Sequence, residues 1–136
     1  MYKKVFTLLL LLLPFQLLIA QKSLLKNFPE GYTPDEIGRR ISYRFVTEKH
    51  ALHAGKWIGY PETFYWNGSL KYAAAAKDKA LIKLLQARFE HLFTTEKALL
   101  PIKNHVDLNM FGSLPLELYW VTKDERYKEV GLPYAD

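Results

Sequence analysis

The sequence predicts an all-α fold of stacked helical hairpins, and three observations predict it. Apolar residues recur at three- and four-residue spacing through several segments, the period of a helix with one buried face. No stretch alternates apolar and polar residues as a half-buried strand does. A Gly-Ser-Leu unit followed by a Lys-Asp turn occurs twice, 44 residues apart. A period of that size belongs to arrays of helix pairs, as an open solenoid or a closed toroid.

Met1 to Ala20 stands outside that fold. Lys3 and Lys4 precede an apolar run from Val5, and Ala20 precedes the polar Gln21-Lys22. This is the layout of a secretory signal peptide. Pro14 and Gln16 interrupt the run, whereas a membrane span wants about 20 consecutive apolar residues. The expectation is an exported protein, periplasmic or secreted, that meets a membrane only through this signal, cleaved after Ala20. The alternative is an envelope protein held by an uncleaved N-terminal helix. Residues 21–136 then make one domain of 116 residues.

Gln21 to Tyr32 reads as an irregular lead-in with Pro29 and Gly31. Thr33-Pro34-Asp35-Glu36 is a helix start: threonine caps, proline takes the first position, and two acids face the positive end of the dipole. Ile37, Ile41, Phe45 and Val46 carry that first helix to about His50. A glycine-containing loop, residues 51–59, leads to a second helix from Pro61 through Ala76, whose Tyr72-Ala73-Ala74-Ala75-Ala76 end is strongly helix-forming. After a turn at Lys77-Asp78-Lys79, Leu81, Leu85, Phe89 and Leu92 form the stripe of a third helix, with Lys79, Lys83, Gln86 and Glu90 outside it. Thr94 to Asn104 connects to a fourth helix from about Asp107 to Val121, which Pro115 should bend. Lys123-Asp124 turns into a fifth helix from Glu125, interrupted at Pro133.

The repeat sets Trp66-Asn67-Gly68-Ser69-Leu70 against Met110-Phe111-Gly112-Ser113-Leu114. A glycine inside a helix costs about 1 kcal/mol against alanine, so Gly68 and Gly112 predict close helix–helix approach. Repeat arrays need about three units and polar terminal caps. Two hairpins without a cap at Gly131 to Asp136 therefore read as the first part of a longer protein, truncated at the C-terminus.

Composition closes several alternatives. Cysteine is absent, which excludes a disulfide scaffold, a Cys-ligated zinc site and a thiol nucleophile. Loss of the signal takes two lysines, so 17 basic residues face 14 acidic ones and the net charge falls from +5 to +3. That spread of charge is no nucleic-acid footprint, which needs clustered Lys and Arg on one face. No P-loop, glycine-rich phosphate loop or Ser-centred nucleophile elbow occurs. His50 and His53 stand three apart near a helix end, yet no third ligand is close, so they read as exposed and no metal is expected.

Trp57-x-x-Tyr60-Pro61 leading to Gly68, the Gly-Ser-Leu-Pro-Leu-Glu-Leu-Tyr stretch of residues 112–119, Lys123-Asp124-x-x-Tyr127 and Ala135-Asp136 come in a particular order. Together they resemble the N-terminal part of the unsaturated rhamnogalacturonyl and glucuronyl hydrolases, glycoside hydrolase families 105 and 88. The resemblance covers Ile37 to Asp136 and implies the N-terminal portion of a six-hairpin α/α barrel. It implies removal of an unsaturated uronic acid from oligosaccharides that polysaccharide lyases leave behind, without a cofactor. Thr63 and Asn67 stand where many members have Gly and Tyr.

By the same resemblance, Asp107 in His105-Val106-Asp107-Leu108-Asn109 takes the place of the family's first active-site aspartate. The principal acid/base aspartate is expected beyond Asp136, together with the groups that hold the substrate carboxylate. Each candidate has a plainer alternative. Asp107 also fits a helix N-cap. Tyr60, Trp66 and Trp57 suit a wall on which a sugar ring stacks, and equally an aromatic core. Glu62 is either a pocket acid or a first-turn acid placed by the dipole. His105 is either a substrate contact or a loop cap.

Overall fold

The computed structural model describes residues 26–50 and 55–135; the signal segment and His53 lie outside the described residues. Among those residues every regular element is helical, and no helix is long and apolar enough to cross a membrane. Residues up to Thr33 belong to a separate unit. Its described part holds one turn, closed by the Tyr32 N–H on the Pro29 carbonyl at 3.0 Å. Gly31 takes φ +81° there, a value that glycine adopts without steric cost.

The second unit begins at Pro34. It contains α1 (Pro34–Thr47), α2 (Tyr60–Ala75) and α3 (Lys79–Glu90), then α4 (Val106–Asn109), α5 (Ser113–Thr122) and α6 (Glu125–Gly131). Helix α2 packs on α1, α3 and α5, and α5 packs on α6. Helices α2 and α5 run the same way. Tyr60 shares a pocket with Asp107 and Leu108, and Asn67, farther along α2, donates to Ser113 Oγ at 2.8 Å.

The two repeat units become two hairpins with the same turn chemistry. Lys77 and Lys123 both take left-handed φ, 55° and 62°. At the first turn the Asp78 N–H reaches the Ala73 carbonyl at 2.8 Å and the Lys77 N–H reaches Ala74 at 3.2 Å, the paired bonds of a Schellman ending. At the second, the Lys123 N–H reaches Tyr119 at 2.7 Å. Each lysine is followed by an aspartate N-cap: Asp78 accepts from Leu81 N at 3.0 Å and Asp124 from Arg126 N at 3.1 Å.

The two glycines diverge. A Cβ on Gly112 would collide with the Tyr134 Cβ and lie 2.9 Å from the Gly131 carbonyl, so this glycine does permit close approach. A Cβ on Gly68 would meet nothing within 4 Å, and the expected close approach is absent there. Gly38 fills that role instead, with the Tyr72 ring 2.5 Å from where its Cβ would be.

A relay of rings joins the hairpins. Trp66 stands edge-on to Phe45 at 5.4 Å and to Phe89 at 5.7 Å; Phe89 stacks on Phe111 at 6.0 Å and meets Tyr127 edge-on at 5.4 Å. The expected stripe Leu81, Leu85, Phe89 and Leu92 is fully buried. The stripe of α1 is rotated from expectation: Ser42 and Phe45 are buried while Ile41 is exposed, because the Tyr72 ring needs the small side of α1. The fourth helix is interrupted. A 3-10 turn at Met110–Gly112 separates α4 from α5, and it contains Phe111, whose carbonyl the ring of Pro115 would crowd in a regular helix. Helix α6 passes into a 3-10 turn, Leu132–Tyr134, around Pro133.

Two predictions follow from these turns and glycines. In urea melts, Gly68→Ala should raise stability by about 0.5–1 kcal/mol through helix propensity, and Gly112→Ala should lower it by about 1–3 kcal/mol through overpacking. Equal effects of one sign would contradict the two environments. Acid titration checks the caps. The Leu81 N–H, with the Tyr43 hydroxyl, holds the Asp78 carboxyl below the usual carboxylate range, and Arg126 does the same for Asp124. The unfolded value is near 3.9, so their stabilisation is complete above about pH 4 and is lost as pH falls through the folded values. The double variant Asp78→Asn/Asp124→Asn should still cap and should show a shallower loss of stability below pH 4.

Candidate functional site

The approach to α2 is held by its backbone. The Ile58 N–H donates to the Leu99 carbonyl at 2.9 Å, which fixes the segment carrying Trp57 against the connection between α3 and α4. Gly59 is extended and offers no side-chain cap; its carbonyl accepts the Thr63 N–H at 3.0 Å, the first bond of the helix ladder, and the Thr63 hydroxyl at 3.1 Å. Ile58 and Thr63 are buried and Tyr60 is exposed.

The opposite wall comes from the start of α4. His105, not Asp107, is the N-cap: its extended backbone lets Nδ1 accept the Asp107 N–H at 3.2 Å. Asp107 lies one turn-position inside the helix, which corrects its reading as the cap. Since Nδ1 accepts, the proton of a neutral His105 sits on Nε2. Asp107 Oδ2 stands 3.6 Å from the same Nδ1 and gains an ion pair only when the ring is doubly protonated. Both side chains are exposed.

Trp57, Gly59, Tyr60, His105, Asp107 and Leu108 line one pocket of about 230 Å³. Of the residues singled out from the sequence, Tyr60, Trp57, His105 and Asp107 are thus brought together. Trp66 and Glu62 are not among its lining. Trp66 is fully buried in the ring relay and donates from Nε1 to the Leu85 carbonyl at 3.3 Å.

Glu62 is buried beneath the first turn of α2, in a charged cluster that sequence reasoning missed. Its side chain is 4% exposed, that of His50 8% and that of Arg88 10%. His50 therefore is not the exposed residue expected. Its Nδ1 hydrogen-bonds Glu62 Oε1, and its Nε2 lies 3.3 Å from Glu96 Oε2. Arg88 Nη2 stands 3.4 Å from the same Glu62 oxygen and 3.3 Å from His50 Nδ1; with the Nδ1 proton directed to Glu62, the favourable contact is the carboxylate one. Arg88 also donates to the Glu48 carbonyl and lies over the rings of Phe45 at 4.5 Å and Trp66 at 5.4 Å. A cavity of about 610 Å³ opens beside these groups, lined among others by Lys49, His50, Arg88, His91 and Glu96. The usable signal was the register of α3: Arg88 directly precedes Phe89 in the buried stripe.

Among the described residues no group of three His, Cys, Asp or Glu side chains is placed to hold a metal ion. Comparison with protein-family models, with curated proteins and with solved structures gives no match.

Removing one partner of the buried cluster leaves a charge uncompensated. Arg88→Ala should cost about 3–5 kcal/mol in a denaturant melt. Removing Glu62 and Arg88 together, as Glu62→Leu with Arg88→Met, should cost less than Arg88→Ala alone. A double variant at least as unstable as that single one would mean the pair is held by packing rather than by charge.

Proposed function

We propose that the chain forms the first hairpins of a six-hairpin α/α barrel. That barrel removes unsaturated uronic acid from the non-reducing end of lyase-generated oligosaccharides of the pectin or rhamnogalacturonan type, after export. One observation carries the reading: Tyr60 and Asp107, 47 residues apart in sequence, meet with Trp57 and His105 around one pocket where α2 and α4 begin. Two neighbouring helices that run the same way, each followed by its returning partner, also suit the inner ring of such a barrel.

The substrate's C4=C5 bond is an enol ether. Hydration puts a proton on C4 and a hydroxyl on C5, and the resulting hemiketal collapses to release the neighbouring sugar. The rings of Trp57 and Tyr60 offer an apolar face to a sugar ring. The positive end of the α2 dipole favours the uronate carboxylate. Asp107, an exposed carboxylate, accepts hydrogen bonds from a water or a sugar hydroxyl. Proton donation at neutral pH needs a carboxyl in a less solvated place, the role the family resemblance assigns to a residue beyond Asp136. Ligand cavities commonly run to about 300–1,000 Å³, so this pocket matches one subsite.

The exposure of Asp107 favours a second reading from another class, a non-catalytic helical-repeat binding module of the cell envelope that holds a glycan without chemistry. One experiment separates the two: an exported protein that carries the further hairpins the barrel requires is mixed with an unsaturated galacturonyl–rhamnose disaccharide while ultraviolet absorbance of the double bond and tryptophan fluorescence are followed. Trp57→Phe is the control, and this chain alone is expected to be inactive. The hydrolase consumes the absorbance, and Asp107→Asn slows this by about 10²-fold or more. Normal turnover by Asp107→Asn removes that residue from the mechanism. A fluorescence response that Trp57→Phe abolishes, with the absorbance intact in that longer protein, establishes the binding module.

A further inference from the structure

His50 is placed where only one of its protonation states satisfies both neighbours. Its Nδ1 meets a carboxylate oxygen of Glu62 and its Nε2 stands 3.3 Å from a carboxylate oxygen of Glu96. A neutral imidazole carries a lone pair on one nitrogen, which here would face an anion. Only the imidazolium presents a proton to each. The Glu96 contact is close enough for charge attraction but poorly aligned as a hydrogen bond, and that buried Oε2 has no other hydrogen-bond partner. A buried carboxylate oxygen without compensation is costly. Glu62 faces the ring from α2, Arg88 from α3 and Glu96 from the connection, while Glu48, Lys49 and His91 line the adjoining cavity. Two carboxylates and one guanidinium leave a negative charge that the imidazolium cancels.

The two acids sit on the two segments that build the pocket walls. Glu62 is two residues from Tyr60, and Glu96 opens the connection that leads through Leu99 to His105 and Asp107. We infer that His50 is held as the imidazolium and acts as a positioning residue, tying the Tyr60 wall to the Asp107 wall through Glu62 and Glu96. The Ile58 N–H bond to Leu99 lies between the same two segments and reports on the tie. The consequence for ligand binding rests on the pocket reading proposed above; the tie itself does not.

Imidazole ¹⁵N NMR and amide exchange of Ile58 test it on the folded protein, titrated upward through the range around pH 6.5 in which a free imidazole loses its proton. The expected result has three parts. At the acid end of the titration, with Glu62 and Glu96 ionised, both His50 ring nitrogens of the folded wild type carry protons. Ile58 exchange, corrected for its intrinsic base-catalysed rate, speeds up about tenfold once the ring deprotonates. In Glu96→Gln the tie is weakened, and this pH-linked step in Ile58 exchange shrinks. Glu96 is 36% exposed, so Glu96→Gln tests the tie without removing a fully buried group. A bare ring nitrogen on His50 at the acid end of the titration, below that range and with both acids ionised, overturns the inference, as does an unchanged Ile58 pH profile in Glu96→Gln. If ring and amide behave as stated and the unsaturated disaccharide fails to bind at any pH, the tie stands and the pocket reading falls.

Discussion

The buried carboxylate of Glu62 is the constraint around which the second unit is arranged. An ionised acid taken out of water needs partners, and this one draws them from two directions, His50 from beyond the end of α1 and Arg88 from α3, while His50 in turn faces Glu96 of the connection. Arg88 can serve because its guanidinium also covers Phe45 and Trp66, which lets a cation be buried against apolar rings. The charged cluster and the aromatic core are therefore one construction. Helix α2 cannot rotate to follow the core without pulling Glu62 away from its cations.

The second hairpin is held differently, by a surface network with an apolar base. Arg126 grips Glu90 through both terminal nitrogens at 3.1 Å and also pairs with Asp124. The Tyr127 hydroxyl donates to Glu90 from a ring buried against Phe89. Burial first, and that hydrogen bond second, push the Tyr127 phenol well above its ordinary value. The end of α3 thus serves both hairpins, its Phe89 face in the core and its Glu90 edge on α6. The repeated turn lets the two units share a shape while the contacts that lock them differ.

What could be read from the sequence was what short-range chemistry decides. The starts of α1, α2 and α3, the Lys-Asp turns and the buried stripe of α3 depend on residues within a few positions of one another. They stand within a residue or two of where periodicity and capping put them, whereas the fourth helix is split at Met110–Gly112. The face of α1 was misjudged because Tyr72, more than 30 residues away, decides which side of that helix must be small. Gly68 and Gly112 look equivalent in the sequence, yet only Gly112 has a neighbour that needs the space. The cluster of Glu62 with His50 and Arg88 was illegible for the same reason. Its partners are 12 and 26 residues from Glu62, and each looks like an ordinary surface residue until the helices are packed. The gathering of Trp57, Tyr60, His105 and Asp107 came from the resemblance, since nothing local to either segment announces the other.

Tyr60 and Glu62 show how a buried charge and an exposed pocket belong together. Two positions on a helix are about 200° apart around its axis, so residues 60 and 62 fall on nearly opposite faces of one turn. Glu62 is drawn inward by its cations, and Tyr60 is thereby turned out toward Trp57, His105 and Asp107. The Gly59 carbonyl accepts both donors of Thr63, which ties the residue before α2 to its first turn although no side chain caps that turn. An exposed aromatic ring ordinarily lacks the packing that would fix its direction. Here the direction is set from behind, by the acid two residues on, and the pocket acquires a defined wall without burying the ring that forms it.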